Sequence, residues 1–272
     1  MSGVEEGSRK DGHSVGDGAK PRMAVAGAWP IAAPTPDLAD REAQVWWADL
    51  RPPAARLREL AATLAADERE RAARFRFPEH RERFIAGRGL LRELLGRILE
   101  RPAAALRFIQ GAHGKPMLAG EEAAVGLCFN LSHSGDRALY AVARREVGVD
   151  LEVMQRTVAY AGVAERICSP REWTVFQALP TEQAREAFFT CWTRKEAIAK
   201  ALGDGLASGL RALDVCFHED AEPEGRVRLR DRQGREWSVL NLPLGSGWRG
   251  ALAAAGVDWR WRGWRWPQAG CD

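Results

Sequence analysis

Apolar residues recur along this chain with two different periods, and the switches between them mark out its elements. AQVWWADL, near Gln44, has the density of a first β-strand. Pro52 and Pro53 then open a helix through RLRELAATLA, whose apolar positions fall at helical spacing. Asp67 is expected to cap a short basic helix, DERERAARF. After Pro78 a long helix runs through FIAGRGLLRELLGRIL, with Phe84, Leu91, Leu94, Leu95 and Ile98 as its buried stripe. Strand-like runs follow at 106–109 (LRFI), 126–133 (GLCFNLSH) and 137–143 (RALYAVA), then a short alternating VGVDLEV at 147–153. Ser169-Pro170 opens another helix, and EAFFTCWTRKEAIAKALG at 186–203 is the second long one. The runs LDVCF, RVRLR, WSVLN and RGALAAA read as closing strands.

A long helix with strands therefore occurs twice, and RGLLRELLG and KEAIAKALG both end on Leu-Gly. This predicts an α+β fold of two similar halves, each a long helix on an antiparallel sheet, related by a pseudo-twofold, with the site in the cleft between them. Residues 41–146 form the first half and 147–258 the second. Residues 1–40 are rich in Gly, Ala, Pro and charge, lack the apolar core of a signal peptide, and read as a disordered leader. Residues 259–272 form a Trp/Arg-rich tail. Stacked Trp and Arg there could bind single strands or a membrane surface. A closing strand with Trp on one face is the reading adopted for 259–262.

At 46% hydrophobic and 28% charged the chain is neither disordered nor fibrous in type. Forty basic against 37 acidic residues give a formal charge of +3, so no nucleic-acid partner is expected from charge. Of the basic residues 35 are Arg and five are Lys. Lys10 and Lys20 lie in the leader, whereas Lys115, Lys195 and Lys200 each fall in a motif. A Lys kept in an Arg-writing chain points to a site that needs a compact ammonium. The five cysteines show no CxxC pairing, which fits a reducing cytoplasm without a zinc site. No apolar run approaches the ~20 residues that span a bilayer.

Five fragments carry candidate chemistry. In VGVDLE the residues Asp150 and Glu152 stand two apart on a strand and project together. Either this is a solvated strand face, or the pair is neutralised by a hard cation such as Mg²⁺ bridging phosphates. In WTRKEAIAK, Glu196 and Lys200 stand four apart on one helix face. They form a surface ion pair or, given the apolar setting, aim at a ligand. FNLSHS sets Ser132 and His133 at a strand end, as a polar turn junction or as phosphate contacts. A Ser–His hydrolase is not indicated, since neighbours on a strand face opposite ways and no GxSxG is present. Gly114-Lys115-Pro116 adds a Lys on a stiff turn. Arg69, Arg71, Arg74, Arg76, Arg81, Arg83 and Arg88 form a basic stretch in which one or two could grip phosphate.

Together these fragments resemble the 4′-phosphopantetheinyl transferases of the Sfp type. That family carries a (V/I)G(V/I)D(L/I)E strand and, some forty residues later, WxxKEAxxK leading to GxGL; here they read VGVDLE at 147–152 and WTRKEAIAKALGDGL at 192–206. FNLSHS, the GKP turn and the RF…GR..LLR helix match in family order, and the likeness spans roughly residues 41–255.

The resemblance implies transfer of 4′-phosphopantetheine from coenzyme A to a serine of an acyl, polyketide or peptidyl carrier protein. It implies Mg²⁺ on Asp150, Glu152 and Glu196, with Glu196, Lys200 and Asp150 catalytic. Lys195, Lys200 and Lys115 would lie close to the phosphates, and His133 near the 3′-phosphate. Ser132, Arg71, Arg83 and Arg88 complete the expected coenzyme A contacts. A basic family position is Glu68 here, so that contact passes to Arg69 or is lost. The expected enzyme is cytoplasmic and monomeric, with no nucleic-acid or membrane partner. The competing reading is a non-catalytic coenzyme A or carrier-protein binder of the same fold.

Overall fold

Strand β1 (Glu42–Asp49) turns Trp46 and Ala48 to one side and Ala43 and Val45 to the other, and both sides are buried. A two-sided buried strand needs a layer on each face. The computed structural model, which describes residues 29–31, 38–111, 114–154, 160–203, 209–215 and 225–267, supplies both.

Helices α1 (Ala54–Thr63), α2 (Ala66–Ala73) and α3 (Pro78–Leu99) follow β1. The hairpin β2 (Phe108–Gln110) and β3 (Pro116–Leu118) comes next, then β4 (Cys128–Ser134) and β5 (Arg137–Ala143). The second half holds β6 (Val147–Val153), α4 (Tyr160–Ile167), α5 (Pro170–Ala178) and α6 (Thr181–Leu202). Strands β7 (Val227–Arg230), β8 (Glu236–Asn241), β9 (Trp248–Ala255) and β10 (Arg260–Arg265) close it. One sheet has the order β10-β1-β5-β4 and the other β6-β9-β8-β7.

The layers stack as helix, sheet, sheet, helix. Trp46, Tyr140 and Val142 pack with Leu91, Leu94 and Leu95 of α3. Val45, Leu139 and Ala141 of the first sheet meet Val149, Leu151, Leu240 and Leu252 of the second. Trp237, Val239, Ala251 and Ala253 pack with Ala197, Ile198 and Ala201 of α6. Alternation along each strand thus serves two cores, each fully buried side chain contributing about 1.5–3 kcal/mol. The expected α+β architecture of two helix-on-sheet halves is the one observed. Both long helices have 22 residues, as the doubled pattern implies.

Several details differ from the sequence expectation. The closing strand expected at 259–262 forms and runs on to Arg265, but it joins the first half's sheet: β10 runs parallel to β1, with Trp264 opposite Trp46. Trp29, assigned to the leader, is buried against Trp261 at 5.6 Å between ring centroids. Ile31 bridges to Arg265, and Leu38 is buried as well. The short basic helix starts after Ala65, not Asp67, because the Glu68 carboxylate accepts the Ala65 N–H at 2.9 Å. Helix α4 and strand β3 carry no strong end signal and were not expected. Of LDVCF, Leu213 to Val215 lie outside any strand, and 216–217 fall outside the described residues.

Candidate active site

The site forms where β6 lies against α6, and Gly148 sets that approach. A Cβ there would overlap the Ala197 carbonyl oxygen and the Ala201 amide nitrogen. Only a residue without a side chain, facing the small Ala197 and Ala201, lets strand and helix backbones come this close. Asp150 and Glu152, next along the same strand face, are thereby carried to the helix face that bears Glu196 and Lys200.

Lys200 Nζ donates to Asp150 Oδ1 at 2.6 Å and to Ser132 Oγ at 2.9 Å. The Ser132 hydroxyl in turn donates to Asp150 Oδ1 at 2.9 Å and accepts the Leu151 N–H at 3.2 Å. Two carboxylate oxygens stand apart from this network: Asp150 Oδ2 and Glu196 Oε1 are buried and accept no hydrogen bond. Burial, then the charge of Asp150, pushes the Glu196 carboxyl up to about 7; Lys200 opposes this and Glu152 adds to it. Unsatisfied buried carboxylate oxygens are costly without a compensating charge. The donor set, all oxygen and from a strand and a helix, suits a hard divalent cation.

The basic residues expected around the site divide into two groups. Lys200 and Arg83 both act on His133: the imidazole is held below its ordinary pKa by burial and then by their charges. Arg83 also binds Asp136 at 2.7 Å. Arg71 is exposed on α2, its guanidinium 5.2 Å from the Phe84 ring centre.

The other expected contacts are turned to structural tasks. Lys195 is wholly buried, 2.8 Å from Glu172 Oε2, and donates to the Leu210 and Leu213 carbonyls. Five positions from Lys200 is about 140° around a helix, so it points to a different side. Lys115 spends its ammonium on the Lys200, Ala201 and Val147 carbonyls at 2.7, 3.1 and 3.3 Å, closing the C-terminal end of α6. Arg88 is paired with Glu68 and lies 4.7 Å over the Phe108 ring. The Ser132 hydroxyl has its one proton and both lone pairs in use, so it is not a free phosphate donor. Glu68 itself is buried with Arg92 at 2.6 Å, and Arg69 donates to the Leu64 carbonyl. Position 68 thus belongs to an ion-pair cluster with Arg88 and Arg92.

Sequence reasoning missed three residues of this neighbourhood. Asn130 and Ser134 share the strand face of Ser132, a period-two signal visible in FNLSHS. Glu172 stands in the capping box opened by Ser169, which accepts the Glu172 N–H at 3.1 Å while Glu172 accepts the Ser169 N–H at 2.8 Å. Its second task, holding Lys195, has no local signature.

Two helix-on-sheet halves carry an acidic and basic cluster at their junction, and comparison gives the family. Residues 146–254 match the model described as the 4′-phosphopantetheinyl transferase superfamily. Residues 47–145 match that described as 4′-phosphopantetheinyl transferase, N-terminal. The chain is 40% identical over 237 residues to the 4′-phosphopantetheinyl transferase HetI of Nostoc sp., covering 87% of this chain and 97% of that protein. It is 36% identical over 150 residues to a putative 4′-phosphopantetheinyl transferase, slr0495, of Synechocystis sp., covering 55% and 61%. To psf-1 of Bacillus pumilus, named a 4′-phosphopantetheinyl transferase, it is 30% identical over 177 residues, covering 65% and 73%. The chain belongs to the 4′-phosphopantetheinyl transferase superfamily and is an enzyme of that class.

Proposed function

We propose that this enzyme transfers the 4′-phosphopantetheine arm of coenzyme A to a serine hydroxyl of an acyl, polyketide or peptidyl carrier protein, releasing adenosine 3′,5′-bisphosphate. Asp150, Glu152 and Glu196 would hold Mg²⁺. The observation that carries this is the pair of buried, unpartnered oxygens, Asp150 Oδ2 and Glu196 Oε1, beside the Lys200 ammonium. When bound, the cation supplies positive charge where a pyrophosphate gathers negative charge.

The chain's own residues divide the remaining work. Phosphoryl-type transfer depends on positioning and charge neutralisation more than on covalent chemistry. Lys200 and Arg83 offer positive charge for the phosphates, with the His133 imidazole beside them. His133 is held down first by burial and then by the charges of Lys200 and Arg83, and a bound anion would offset those charges. Glu196, with its carboxyl raised, is suited to take the serine proton, and Lys200, one turn on, to neutralise the leaving phosphate. Lys195 and Lys115 act at a distance by fixing α6.

The reading is tested by incubating the protein with coenzyme A, Mg²⁺ and a panel of apo-carrier proteins and weighing the products. A carrier that gains one phosphopantetheine supports it. A panel left entirely in the apo form, under conditions where a known transferase loads it, contradicts it. No helix among the described residues is long and apolar enough to cross a membrane. We place the enzyme in the cytoplasm as a monomer, on the free Cys128, Cys168 and Cys191 among the described residues and on a cleft built within one chain.

A further inference from the structure

Strands β4 and β6 are the edges of two different sheets, and no backbone ladder joins them. In an antiparallel edge strand alternate N–H groups point outward, and these must find partners when buried. On β6 they are Val149, Leu151 and Val153. Each donates to a side chain of β4: Val149 to Asn130 Oδ1 at 3.0 Å, Leu151 to Ser132 Oγ at 3.2 Å, Val153 to Ser134 Oγ at 3.1 Å. Asn130, Ser132 and Ser134 are all buried, two residues apart on one strand face. The seam between the halves is thus a zipper of side chains against a strand edge.

The two serines do something the asparagine does not. Ser132 donates its proton to Asp150 Oδ1 at 2.9 Å, and Ser134 donates to Glu152 Oε2 at 3.0 Å. Each hydroxyl therefore takes the N–H of the residue after an acid and gives its own proton to that acid. Because the donor's direction is fixed by the backbone, the carboxylate's rotamer is fixed with it. A hydroxyl that must point at one oxygen leaves the other oriented away, and Asp150 Oδ2 is the oxygen left unpartnered.

We infer that Ser132 and Ser134 are positioning residues that preset the Asp150–Glu152 pair for a divalent cation and register that pair to the first half of the molecule. This rests on the cation-binding reading above. Ser132 also touches Lys200, so Ser134, which bonds the Glu152 carboxylate and the Val153 N–H, gives the clean test.

The test is Mn²⁺ binding to the full chain, followed by the paramagnetic signal of free Mn²⁺, alongside urea stability. Removing a group that orients a metal ligand weakens metal affinity about 10–100-fold, and Ser134→Ala is expected to fall in that range. Asn130→Ala cuts the same seam without touching a carboxylate. It is expected to lose stability and keep wild-type Mn²⁺ affinity. The shape-matched pair Ser134→Thr and Ser134→Val decides the matter if the alanine variant does not fold: Thr retains binding and Val loses it. Equal Mn²⁺ affinity in Ser134→Ala and wild type, equal weakening in the Asn130 and Ser134 variants, or Thr and Val binding alike would overturn the inference. Wild-type protein that binds no Mn²⁺ is a different result: it sinks the cation reading itself.

Discussion

Lys195 and Glu172 form an ion pair of 2.8 Å in which both side chains are wholly removed from solvent. Glu172 caps α5, accepts the Val215 N–H at 2.7 Å and so ties the segment after α6 back to the helix that carries Glu196. Breaking a buried pair from one side strands a charge and costs about 3–5 kcal/mol. Lys195→Met is therefore expected to lower the urea midpoint severely, and adding Glu172→Gln to recover part of the loss. A Lys195→Met protein of normal stability with a raised KM for coenzyme A would instead return this lysine to the phosphates.

Gly148 makes a separate prediction, about distance. Gly148→Ala has to push β6 off the Ala197 carbonyl, moving Asp150 relative to Glu196 and Lys200. Misplacement by about 1 Å costs on the order of 100-fold in rate. The variant should lose transfer activity by roughly that factor while retaining the far-ultraviolet circular dichroism of a folded chain. Near-normal kcat would show that the strand–helix spacing is not what sets the site.

The raised Glu196 carboxyl has a signature in stability. Its pKa is about 7 in the fold against an ordinary 4.5. Between those values the folded protein holds a proton that the unfolded chain has released. Metal-free stability must therefore fall as pH rises through this window and level off above it. Wild type and Glu196→Gln, compared by urea unfolding in chelator, should differ in slope there, the Gln variant being flatter. Parallel curves would mean that Glu196 is not perturbed.

Much of this site could be read before any coordinates. Asp150 and Glu152 had to share a face by strand geometry, and Glu196 and Lys200 by helix geometry; long apolar runs fixed the elements beneath them. What escaped was non-local. Nothing near Lys115 says that its ammonium will reach the end of α6, 85 residues on in sequence. Nothing near Trp259–Trp266 says that this strand returns to pair with β1, or that Trp29 will pack on it. Glu68 shows the same limit: whether an acid at that position repels a phosphate or pairs with arginines depends on Arg88 and Arg92, a helix away. The direction of Lys195, in contrast, was available from the 100° step of a helix, which separates it from Glu196 and Lys200.

We propose that Glu196 of α6 works with the β6 acids in the transfer step. The most direct measurement is phosphopantetheine transfer by Glu196→Gln, read by carrier-protein mass with coenzyme A and Mg²⁺ in excess. The expected result is a folded protein that leaves the carrier unmodified. Turnover close to wild type would contradict it.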